Sequence, residues 1–76
     1  MITLPLYYVR GHDNIVHRYY GNFLVDVVQQ NRIDGLYGLT GNMLDQSLEP
    51  WGARLGDQEL IFNSEGHKTL FLVRWA

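Results

Sequence analysis

The sequence contains no cysteine, so neither a disulfide framework nor a thiolate metal site can form. That absence suits a reducing compartment, and the expected location is cytoplasmic. No uninterrupted apolar run approaches the roughly 18 residues that a membrane span requires. The opening Met1-Ile2-Thr3-Leu4-Pro5 lacks the basic segment and long apolar run of a secretory leader. A charge excess of one sign is missing too: six Lys and Arg face eight Asp and Glu, a net charge of −2. Nucleic-acid binders usually carry a basic excess, because phosphate contacts dominate their affinity, so the balance points away from that class. Repeats, low-complexity tracts and linker-like segments are absent as well.

What is present is apolar and aromatic. Hydrophobic residues make up 46% of the 76 positions and aromatics 13%, the composition of a packed globule rather than a disordered segment. Seventy-six residues suffice for one core, so a single domain over 1–76 is expected. Two Trp, five Tyr and three Phe offset the small size, since each ring buries a large area.

Two stretches rich in β-branched and aromatic residues, Leu4–Arg10 and Ile15–Tyr20, flank Gly11-His12-Asp13-Asn14 and predict a β-hairpin. Pro5 cannot donate a ladder bond, which places the first strand at an edge or starts it later. Asn22 has the chemistry of a helix N-cap. Phe23, Leu24, Val27 and Val28 follow at spacings of one apolar stripe, and Gly35 can supply a left-handed stop. The valines leave a buried strand open as the alternative for this segment.

A short second helix is expected from a cap at Thr40 or Asn42 to Glu49, where Leu44, Leu48 and Trp51 stack and Pro50 forbids continuation. Gln58–Asn63 and Lys68–Trp75 read as two strands joined through Ser64-Glu65-Gly66-His67, with Phe62 opposite Thr69 and Leu60 opposite Phe71. The fold class is therefore α+β, a small antiparallel sheet of about four strands in the order ββ-α-(α)-ββ.

The chemistry-bearing residues do not form recognisable sites. His12, His17 and His67 fall on separate turns and a strand, not at the tight spacings of a structural zinc site. Ser47 and Ser64 are the only serines, and neither lies in a nucleophile elbow. Ser64, Glu65 and His67 share one tight turn, which is turn chemistry before catalysis. Gly35, Gly38 and Gly41 recur without the Lys-Ser/Thr of a phosphate loop, and Gly35-Leu-Tyr-Gly38 lacks the basic centre of an RNA clamp. The carboxylates Asp26, Asp34, Asp45, Glu49, Asp57 and Glu59 are scattered singly. No catalytic residue, metal or cofactor is expected.

Two surfaces remain. With the first turn centred on His12-Asp13, Tyr7 pairs with Arg18, and Tyr7, Arg18 and Tyr20 share the face opposite the aliphatic set. Tyrosine and arginine are enriched among residues that dominate binding energy, so these three are the candidate partner-binding patch. On the C-terminal pair of strands, Ile61, Leu70 and Leu72 form a second apolar face, a candidate self-association site for a homodimer.

In format, being short, cysteine-free, near-neutral and without a motif, the chain resembles the accessory proteins of phages and mobile elements, anti-CRISPR-type inhibitors included. That resemblance implies a protein partner. The leading reading is a small protein-binding module that occupies a surface of a larger protein, as an inhibitor does. The second is nucleic-acid binding, with Tyr7 or Tyr20 stacking on bases beside Arg18. A small enzyme comes third.

Overall fold

The structure is a computed structural model and describes residues 2–76. Five strands and three helices follow in the order β1 (Ile2–Pro5), β2 (Tyr7–Arg10), β3 (Asp13–Val16), α1 (Arg18–Asn31), α2 (Gly41–Leu48), β4 (Ala53–Leu55), β5 (Glu59–Phe62) and α3 (Glu65–Trp75). Short 3-10 turns at Leu36–Gly38 and Glu49–Trp51 precede and follow α2. The class is α+β with antiparallel strands, but the strands divide between two sheets. One sheet is three-stranded in the order β1-β5-β4, and the other is the β2–β3 hairpin.

The N-terminal stretch read as one strand is split by Pro5 and Leu6. Before the break, Leu4 pairs with Leu60 and Ile2 with Phe62; after it, Tyr7 pairs with Val16 and Arg10 with Asp13. The hairpin turn is therefore the two residues Gly11-His12, with Gly11 at φ 65°, not a turn centred on His12-Asp13. A two-residue loop favours a glycine in that left-handed region. The strand ends at Val16, so Arg18, Tyr19 and Tyr20 belong to α1 and Tyr7 does not pair with Arg18.

α1 starts earlier than Asn22, because Tyr20, Phe23 and Val27 recur at i, i+3 and i+7 and are all buried. Asn22 lies inside the helix, where its side-chain amide donates to the Trp75 carbonyl at 2.7 Å. The helix stops at Asn31. Arg32, rather than Gly35, takes the left-handed conformation, at φ 54° and ψ 41°, and its N–H reaches back to the Gln29 carbonyl. α2 is capped by Thr40, whose hydroxyl accepts from the Met43 N–H at 3.2 Å, and Pro50 ends it in a 3-10 turn.

The C-terminal segment departs most from expectation. Lys68–Trp75 is not a strand but part of α3, and the strand that pairs with β5 on that side is β4. Ser64 is the N-cap, its hydroxyl accepting from the His67 N–H at 3.2 Å, with Glu65 in the first turn. Phe71 and Trp75, at i and i+4, enter the core. The true second hairpin turns at Gly56-Asp57-Gln58, where the Gly56 N–H donates to the Glu59 carbonyl at 2.8 Å.

The core lies between the three-stranded sheet and the helices. Leu60 and Phe62 of β5 face inward with Leu4, while Ile61 alternates away. Phe71 sits at the centre: its ring centroid is 5.5 Å from those of Phe23 and Phe62 and 6.0 Å from that of Trp51. The contacts with Phe62 and Trp51 are edge-to-face, a geometry that adds roughly 0.5–1.5 kcal/mol each beyond area burial.

Candidate protein-docking surface

α1 is amphipathic twice over. Its core stripe is Tyr20, Phe23 and Val27, yet Gly21, Leu24, Val25 and Val28 form a second apolar series at i, i+3, i+4 and i+7. This second stripe lines an open groove that Val16 of β3 and Leu36 of the 3-10 turn also line, with Gln29 as its polar member. Val25 is 55% and Leu36 58% exposed. Val25 and Leu36 thus leave aliphatic surface open to water beside a helix that already has a core face.

The β2–β3 hairpin continues this apolar surface. Tyr7, Val9 and Val16 share one hairpin face and are all exposed. The hairpin packs chiefly on itself, joined to the body through the Leu6 N–H to Gln58 carbonyl bond at 3.1 Å. At its base the His17 ring stacks on Tyr19 and lies against Tyr8, each at 4.9 Å between centroids. The Tyr19 hydroxyl donates to the Pro5 carbonyl. Burial pushes the Tyr19 phenol up from its ordinary pKa; burial and then the neighbouring Tyr7 push Tyr20 up.

One residue lining this groove and one at the C-cap of α1 depart from local backbone preference. Gly21 sits within α1, where glycine costs roughly 0.5–1 kcal/mol against alanine. Among the described residues nothing crowds it: a Cβ there would meet no atom within 4 Å, and its φ needs no glycine. Arg32 occupies a left-handed position that glycine or asparagine takes at lower cost. Breaches of local rules with no compensation inside the chain concentrate where function has a claim on the residue.

The sequence-predicted patch is only partly assembled. Tyr7 is 42% exposed and Arg18 is exposed at the first position of α1, but Tyr20 is buried at 7% exposure. The expectation of an exposed Tyr20 fails because the helix turns its ring inward onto Phe23. Ile61, Leu70 and Leu72 do not make one face either. Leu70 and Leu72 are helical, about 200° apart around α3, with Leu70 60% exposed and Leu72 packed against the core. Sequence reasoning missed Gly21, Val25 and Leu36; the signal was available in Gly21, Leu24, Val25 and Val28 as a second helical series.

The polar clusters hold no comparable site. Among the described residues no three His, Cys, Asp or Glu side chains converge as metal ligands would. Ser64 Oγ lies 2.7 Å from His67 Nδ1, but the same hydroxyl caps α3, and His67 is wedged against Gly52, where a Cβ would stand 2.5 Å from its ring. No helix among the described residues is long and apolar enough to cross a membrane. No protein-family model, curated protein or solved structure matches the chain.

Proposed function

We propose that the chain is a small protein-binding module that acts by occupying a surface of a larger protein, in the manner of an inhibitor. The observation that carries this reading is the second apolar stripe of α1, with Val25 exposed and Leu24 and Val28 half-buried, which meets the hairpin at Val16. A surface of this composition, apolar at its centre and polar at its rim, has the anatomy of a protein interface. Tyr7 at its edge and Arg18 at the head of α1 supply the residue types that anchor such contacts. Nucleic-acid binding is the weaker reading, since Tyr20 is buried and Arg18 is not on the hairpin face.

A photoreactive amino acid placed at Val25 tests the proposal in the source cell, with Val73 on α3 as the exposed control. The expected result is one dominant protein adduct from Val25 and none of it from Val73. Val25→Asp should then weaken the purified partner's binding more than about tenfold, because a charge enters an apolar contact. An adduct to nucleic acid, or equal adducts from both positions, would sink the reading.

A further inference from the structure

Resting on that reading, we infer that the groove along α1 receives an apolar α-helix of a protein partner whose two ends carry carboxylates. The floor of the groove is itself a helix, with its backbone groups already spent in i to i−4 bonds. An extended segment laid there would bring unpaired amides and carbonyls onto aliphatic side chains, whereas a helix satisfies its own backbone. Gly21 lets a second helix axis approach closely, which accounts for a glycine that nothing within the chain requires.

The charges select the partner. Arg18 at the first position of α1 and Arg32 just past its last are both exposed, and Val25 lies midway between them. Asp26, the acidic residue within α1, is turned about 100° away from Val25. Arg18 and Arg32 thus bracket the apolar groove without lining it, roughly 21 Å apart along the α1 axis, and Arg32 borders a neighbouring pocket that Asp34 shares. A second copy does not complement it: a two-fold axis through Val25 would set Arg18 of each chain against Arg32 of the other. Carboxylates near both ends of a partner helix do complement it, and guanidinium is the cation best shaped to pair with them. This also accounts for Arg32 at a backbone position that favours glycine.

Two labelled, hydrocarbon-stapled synthetic helices, identical except for Glu or Lys in their first and last turns, are the probes, read by fluorescence anisotropy. The Glu-flanked helix should bind at least about tenfold tighter at low ionic strength, with the gap narrowing as salt is added. The double variant Arg18→Glu/Arg32→Glu should reverse the preference, and Val25→Asp should abolish binding of both helices. Arg32→Gly should raise the melting temperature while weakening the Glu-flanked helix, a pairing of effects that general damage to the fold would not produce. Equal affinity for the two helices overturns this inference and leaves the docking surface standing. Failure of both helices to bind overturns the helical occupant, while the Val25 adduct judges the docking surface separately. Tighter binding of single-stranded DNA or anionic vesicles than of the Glu-flanked helix overturns both.

Discussion

Replacing Gly21 with alanine should make the fold more stable and the docking surface worse. The substitution adds one methyl group to α1 at a point where, among the described residues, nothing beyond the adjoining residues and the helix's own backbone lies within 4 Å, so no clash offsets the gain. The Gly21 N–H to His17 carbonyl bond, at 3.0 Å, is a backbone contact and survives the change. Alanine restricts the unfolded chain and suits a helix, a gain of about 0.5–1 kcal/mol. For a chain of this size that corresponds to a rise of about 3–6 °C in melting temperature. Gly21 lines the groove, so an added methyl narrows it for a closely packed partner helix. Overpacking a close contact typically costs about 1–3 kcal/mol, or roughly 5- to 150-fold in affinity. Differential scanning calorimetry gives the first quantity and anisotropy with the Glu-flanked helix the second. A lower melting temperature would show that α1 is not open at this position. A higher one with unchanged affinity would show that the glycine has nothing to do with docking.

Ser64→Ala removes the cap of α3 and the hydroxyl that contacts His67, and should cost about 1 kcal/mol in urea unfolding without altering peptide binding. An unchanged midpoint would mean that α3 is held by Phe71 and Trp75 alone. Stability should fall at alkaline pH. Tyr19 and Tyr20 hold their protons to higher pH in the fold than when unfolded, so their contribution is fully present below the ordinary tyrosine pKa of about 10 and is lost as pH rises through the folded values. Thermal melts between neutral and strongly alkaline pH read this directly, and Tyr20→Phe should flatten the decline.

The hairpin, α1 and α2 were legible because their signals are local. Gly11 marks a turn, Phe23 and Val27 hold a helical spacing, and Thr40 and Pro50 bracket α2. Their boundaries were less so: Tyr19 and Tyr20 have strand-like side chains, and only the burial of Tyr20 against Phe23 puts them in α1. α3 was misread for a related reason. Thr69, Phe71, Val73 and Trp75 suit a strand, and Leu70 and Leu72 fill the other face, so the pattern fits two periods at once. The decisive features were Ser64 and Glu65, a cap and a first-turn acid, together with the four-residue interval from Phe71 to Trp75. The groove was half-legible: Leu24 and Val28 read as one apolar stripe with Phe23 and Val27, and Leu24 does pack against the core, whereas Gly21 and Val25 join the groove face because Tyr20 points inward.

The place of β5 bears on how the molecule acquires its shape. It is the middle strand of its sheet, yet it follows both of its neighbours in the chain. Pairing with β4 closes a short loop, whereas pairing Leu4 with Leu60 joins positions 4 and 60 of a 76-residue sequence. By loop-closure entropy the second event costs about 2 kcal/mol more than the first. Loop closure therefore favours pairing of β4 with β5 over docking of β1. Without β1 one edge of β5 is bare, and a bare strand edge is open to pairing with another chain.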